Sequence, residues 1–113
     1  MKLNKLSAYC QSLPHSTYVN QWGGSHVWKI GGKVYVIAGD EKGVMDRVSF
    51  KVTPIAFDFL KDQPGCQGAP HLASRGMKWI QRTSDDSMPD DELLTYIRDS
   101  YRLVGAEIGR AHV

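Results

Sequence analysis

The chain has 113 residues, 42% hydrophobic and 23% charged, a balance that suits one soluble globular domain and excludes a disordered chain. Lys plus Arg is 14 and Asp plus Glu is 12, a net charge of +2, short of the strongly basic balance (pI above ~9) of a dedicated nucleic-acid binder. The longest apolar run, Val34 to Ala38, is far below the ~20 residues that span a bilayer, and Met1 to Leu13 lacks a signal-peptide core. The expected location is therefore cytoplasmic, without membrane contact.

Leu3, Leu6, Cys10 and Leu13 recur at steps of three and four and predict a first helix, ended by Pro14. The period then changes to two. Tyr18 to Trp22, Ser25 to Ile30 and Lys33 to Gly39 are separated by Gly23-Gly24 and Gly31-Gly32, loops that fit tight antiparallel hairpins. Asp40 to Gly43 reads as a longer polar loop. Met45 to Val52 reads as a fourth strand, with Val48, Phe50 and Val52 on one side and Arg47, Ser49 and Lys51 on the other.

Thr53-Pro54 is a hydroxyl cap followed by proline at the first helical position, opening a second helix whose expected buried stripe is Ile55, Phe59 and Leu60. Gln67 to Gly76 reads as irregular, and Lys78 to Thr83 as a fifth strand built on Trp79 and Ile80. Pro89 opens the last helix, where Asp90, Asp91 and Glu92 complement the N-terminal dipole. Leu93, Leu94, Ile97, Tyr101, Val104 and Ile108 form its apolar stripe, and Gly109 is a terminator. The expected fold is α+β, one antiparallel sheet of about five strands with helices on one face, in the order α-β-β-β-β-α-β-α.

No residue set displays a reaction. The 4 histidines, His15, His26, His71 and His112, form no HxH or HxxxH pair, and Cys10 and Cys66 form no CxxC, so no metal site is expected. Both cysteines read as free thiols buried as small apolar residues. GxSxG, GxGxxG and P-loop patterns are missing from the sequence. The acidic residues Asp85 to Glu92 fit helix capping and lack the ligand pattern of a calcium loop.

The hairpin about Gly31-Gly32 is the most informative constellation. A simple two-residue loop pairs Ile30 with Lys33, Trp28 with Tyr35 and His26 with Ile37 on one face. If that face meets solvent, Trp28 and Tyr35 form a stacking platform for bases. If it faces inward they are core aromatics, the commoner fate of such large rings. Arg47 and Lys51, with Lys78 and Arg82 beyond them, make either a phosphate-tracking stripe or an ordinary solubilising surface.

Several phrases in order resemble the MmcQ/YjbR family. They are Tyr9-Cys10-Gln11-Ser12-Leu13-Pro14, Val27-Trp28-Lys29-Ile30-Gly31-Gly32-Lys33 and Ser49-Phe50-Lys51-Val52, then Pro64-Gly65, Ala69-Pro70-His71 and Lys78-Trp79-Ile80. Pro89-Asp90-Asp91-Glu92-Leu93-Leu94 and Ser100-Tyr101-Arg102-Leu103-Val104 complete the set. The resemblance implies a CyaY-like, double-wing arrangement and a DNA-binding label that rests on fold likeness. It brings no catalytic residues. The stretch Ala73, Ser74, Gly76, Met77, Lys78 departs from a common family form with an Asn and a second His before the tryptophan. Frataxins share the architecture but bind iron through an acidic first helix, whereas the first helix here carries Lys2 and Lys5 and no acid.

The reading is thus a monomeric, non-enzymatic binding domain spanning residues 1–113 in a bacterial cytoplasm, without cofactor. DNA is the expected partner, met by three or four of Lys29, Lys33, Arg47, Lys51, Lys78 and Arg82. The alternative is a protein-interaction or small-ligand module with a groove at His71, Arg75 and Trp79. An enzyme using His71 ranks below both.

Overall fold

Helix-period and strand-period segments alternate along the chain as the sequence patterning requires. In the computed structural model, which describes residues 1–111, they are α1 (Leu3–Ser12), β1 (Ser16–Gln21), β2 (Ser25–Ile30), β3 (Lys33–Glu41), β4 (Val44–Lys51), α2 (Pro54–Leu60), β5 (Cys66–Gly68), a 3-10 turn (Ala73–Arg75), β6 (Trp79–Arg82) and α3 (Asp90–Ala111). His112 lies outside the described residues. The strands form one antiparallel 6-stranded sheet in the order β1-β2-β3-β4-β6-β5.

The added strand is β5. It occupies the start of the stretch expected to be irregular, because β6 would otherwise be an edge whose free backbone groups recruit Cys66 to Gly68. The Asp40–Gly43 segment is a tight turn rather than a long loop: β3 and β4 pair up to Glu41 and Val44, with Lys42 and Gly43 both at positive φ.

All helices cover one sheet face. Leu6 and Cys10 of α1, Leu60 of α2, and Leu93, Ile97 and Val104 of α3 share a single core with Val36, Val48, Phe50 and Ile80. Thr53 caps α2 as the sequence predicts, its Oγ1 accepting the Ala56 N–H at 3.2 Å. The buried stripe of α2 differs from expectation. Ile55 is 85% and Phe59 61% exposed, while Ala56, Phe57 and Leu60 turn inward. A helix of 7 residues buries only one narrow face; Leu60 lies on it as expected, while Ala56 and Phe57 take the places expected of Ile55 and Phe59. Both cysteines are free thiols; Cys10 is buried as expected, but Cys66, on the short edge strand, is only half-buried.

The β2–β3 register also departs from the simple hairpin. A bulge at Tyr35 puts Trp28 opposite Val36 and His26 opposite Ala38, one residue off the expected pairs. The turn needs Gly31, whose φ is +56° and whose missing Cβ makes room for Ile108 of α3. Tyr35 and Val36 consequently both face the core. β3 leaves β4 at this point, since their pairing stops at Val36 and Phe50. Ser100 of α3 enters the gap, its hydroxyl donating to the Tyr35 carbonyl at 2.7 Å and accepting the Lys51 N–H at 2.9 Å.

Candidate functional site

Strand alternation sends every second side chain away from the helices. Across the sheet that outer row reads Val19, Val27, Ile37, Ser49, Gln81 and Gln67. Its far half is an amide chain: Gln67 donates to Gln81 at 2.8 Å, and Gln81 to the Ser49 hydroxyl at 3.4 Å. Its near half is apolar, and Val27 is fully buried although it lies outside the main core cluster.

The basic candidates separate once placed. Lys29 stands on the outer face opposite Val34, and Arg47 stands there opposite Gly39. Arg47 lays its guanidinium over Gly39, where any Cβ would collide with it, and also bonds Asp46 at 3.1 Å. Lys33 is exposed at the start of β3. Lys51 is ion-paired with Glu107 of α3.

Lys78 points the other way, its ammonium 4.9 Å above the Phe57 ring of α2. Arg82 is buried, donating to the Met88 carbonyl at 3.0 Å and to Asp90 at 2.8 Å. Burial pushes the Asp90 carboxyl up, but the Arg82 bond and the N-terminal ammonium outweigh it and hold the pKa below its usual value. Lys78 and Arg82 are therefore not part of the outer face. Their alternation parity turns them toward the helices, which the single-strand pattern alone does not reveal.

Where β3 and β4 part, the outer face sinks into a concavity of about 340 Å³. Lys33, Val34 and Ile37 of β3, Lys51 of β4 and Trp79 of β6 line it, and Val104 and Glu107 of α3 show through the gap. Leu72 and Met77 from the β5–β6 connection close one side, and Trp22 from the β1–β2 turn closes another. The indole N–H groups of Trp79 and of Trp28 in the core are both buried without a hydrogen-bond partner.

Of the three groove residues expected from sequence, Trp79 lines this concavity, whereas His71 and Arg75 are exposed on the adjoining loop and do not line it. Trp28 and Tyr35 are buried in the core and present no ring to solvent. The Tyr35 hydroxyl meets Ser16 at 2.5 Å, and the ring packs edge-on to Tyr101. Sequence reasoning missed Trp22, which it treated as the last residue of a strand. The available signal was a tryptophan directly before Gly23-Gly24, where a turn turns the side chain out of the alternating pattern.

A second polar constellation, also unanticipated, sits on the helix side near β1. His26 bridges Tyr18, whose hydroxyl is 2.8 Å from Nδ1, and Asp40, whose carboxylate is 2.6 Å from Nε2. Asp40 also accepts the Gly43 N–H at 2.9 Å. The bond to His26, followed by that from Gly43, lowers the Asp40 pKa. This array ties three strands together, with the Tyr18 and His26 rings stacked. Among the described residues no three His, Cys, Asp or Glu side chains gather as metal ligands. None of the described helices is long and apolar enough to cross a membrane.

No curated protein matches the chain. Among solved structures it is similar to the Deinococcus radiodurans protein DR2400, whose family-model domain is DUF419. That likeness has a TM-score of 0.78 and 25% identity, covering 91% of this chain and 78% of that one. A Pseudomonas syringae structural-genomics target shares the fold at a TM-score of 0.69 and 20% identity, covering 92% of this chain and 99% of that one. The YjbR family model matches residues 11–103, running from the last turn of α1 to the penultimate turns of α3. By that match over most of its length, the chain belongs to the YjbR family.

Proposed function

We propose that the chain is a non-enzymatic binding domain that holds nucleic acid against its outer sheet face. The observation that carries this reading is the grouping of Lys29, Arg47 and Lys51 on a sheet face that also carries the uncharged Ser49, Gln81 and Gln67, with Lys33 at the rim of its concavity. Uncharged hydrogen-bonding groups flanked by cations suit a polyanion better than a neutral or cationic partner. Two of the cations have acidic neighbours, Asp46 beside Arg47 and Glu107 beside Lys51, so the attraction is moderate.

The test is a salt titration of binding to a generic DNA. With three or four phosphates neutralised, log K falls against log salt with a slope of about −3, at −0.9 per phosphate. A flat response, or no binding at low salt, overturns the proposal.

A protein-interaction reading has one observation in its favour. Ile55 and Phe59 expose their side chains one turn apart on α2. Beside them an apolar groove of about 310 Å³ between α2 and α3 is lined by Val52, Ala56, Tyr96 and Leu103. That reading takes first place if the salt titration is flat.

A further inference from the structure

We propose that the concavity where β3 and β4 part is a slot for one unpaired base carrying its phosphate, with Trp22 as the stacking surface. This rests on the nucleic-acid reading above and narrows it from a charged face to a defined subsite.

Trp22 combines two unusual properties. It is 63% exposed, and its backbone sits at φ +53°, a left-handed conformation that bulky residues rarely adopt. Gly23 and Gly24, which accept positive φ freely, follow it at once. A tryptophan held out to solvent on a strained backbone beside such permissive neighbours is a feature that core packing does not call for.

The space it borders is large enough to admit a planar ring. At about 340 Å³ it lies within the range of small-molecule pockets. Its walls are apolar at Ile37, Met77 and Trp79, and its cations are Lys33 and Lys51. Lys51 is held by Glu107, whereas Lys33 has no ion-pair partner among the described residues. Lys33 is thus the group available to a phosphate. Trp79 is only 5% exposed and forms a fixed apolar part of the wall.

Stacking selects the strand state. In a duplex each base face is covered by its neighbours, so an indole platform is offered only edges; an unpaired base offers its whole π-face. A free nucleotide and a single-stranded chain both present a planar base with a phosphate, and the experiment separates them.

The test uses the full chain and three probes: 5′-AMP, a deoxyadenylate strand of about ten nucleotides, and a blunt duplex of the same length. Anisotropy reports the strands, and tryptophan quenching reports AMP. The single strand is expected to bind more tightly than the duplex at equal salt. Trp22→Ala is expected to weaken single-strand binding about tenfold or more, with Trp22→Phe recovering most of the loss. Because Trp22 is exposed, the thermal midpoint of each variant stays near that of the parent and confirms folding. AMP competing with the strand identifies a free nucleotide as a sufficient ligand, and failure to compete identifies the polynucleotide; both support the slot. If DNA binds with a steep salt slope but Trp22→Ala matches the parent on both strand forms, the slot is overturned while the DNA-binding face stands. If no probe binds at low salt, both are overturned.

Discussion

Ser100 of α3 completes the backbone pairing that Tyr35 interrupts. Its hydroxyl donates to the Tyr35 carbonyl at 2.7 Å and accepts the Lys51 amide at 2.9 Å, so a helix side chain joins two strands where they part. The bulge lets Tyr35 and Val36 both face the core, where the Tyr35 hydroxyl meets Ser16 and its ring packs edge-on to Tyr101.

Ser100→Ala leaves two backbone groups unpaired in a dry gap, and each such group costs about 1–3 kcal/mol. The variant is expected to lose about 2 kcal/mol or more in denaturant unfolding. Ser100 is wholly buried, so water does not replace the lost bonds. Unfolding indistinguishable from the parent would mean that the gap relaxes and that Ser100 is not what closes it.

The same residues show how far the sequence could be read. Regular periodicity located α1, β2 and α3 closely, because each buries a repeating stripe: Leu6 and Cys10, His26 and Trp28, and Leu93, Ile97 and Val104. Irregular features escaped. The bulge at Tyr35 inserts one residue into the ladder without any local sequence mark, and it moved every expected pair of the β2–β3 hairpin except Ile30 with Lys33. β5 exists only because β6 offers it an edge, a long-range cause that a local pattern does not contain. Of the site, Trp79 was legible as an aromatic beside an irregular loop. Trp22 was not, since its side chain leaves the alternating pattern at a turn.

On α2, Phe59 and Leu60 are neighbours with opposite surroundings, 61% and 2% exposed. Leu60→Ala is expected to cost about 2–5 kcal/mol, as for other core truncations. Phe59→Ser is expected to stay within about 0.5 kcal/mol of the parent, as exposed sites do. Comparable losses from both substitutions would show that the helix is rolled to bury Phe59, as the sequence pattern first suggested.

The Tyr18–His26–Asp40 array makes an acid-sensitive tie between β1, β2 and β3. Asp40 titrates below its ordinary value in the folded protein because His26 and the Gly43 amide favour its charged form. Its contribution to stability is therefore present above the unfolded carboxylate value, about 4, and is lost as pH falls through the lower folded value. Asp40→Asn removes this contribution. Its thermal midpoint is expected below the parent's at pH 6, with the difference narrowing as pH falls below about 4. A gap that is constant with pH would assign the loss to packing rather than to charge.

Burial pushes the Cys10 thiol up to about 12, with the Tyr35 contact only partly opposing it. The Cys66 thiol is also raised, again by burial, but it is half-buried at the sheet edge. In the native protein at pH 8, alkylation is expected to modify Cys66 first and Cys10 only on unfolding, because the thiolate is the reactive form. Mass mapping that finds Cys10 modified first would contradict its burial on the core side of α1 against Tyr35.

Lys29 and Arg82 provide the sharpest separation between the binding face and the scaffold. Both are basic strand residues and were equal candidates by sequence, yet Arg82 is 6% exposed and spends its donors on Met88 and Asp90, while Lys29 stands on the outer face. Arg82→Ala strips Asp90 of its buried partner, and because Asp90 is itself partly solvated the expected loss is about 1–3 kcal/mol of stability. Measured well below its melting temperature, that variant should keep the parent's salt slope for DNA. Lys29→Ala should do the reverse, holding stability within about 0.5 kcal/mol and reducing the slope by about one unit on any DNA sequence. If Arg82→Ala changed the slope and Lys29→Ala did not, the phosphates would have to be met on the helix side of the sheet, and the outer face would lose its role.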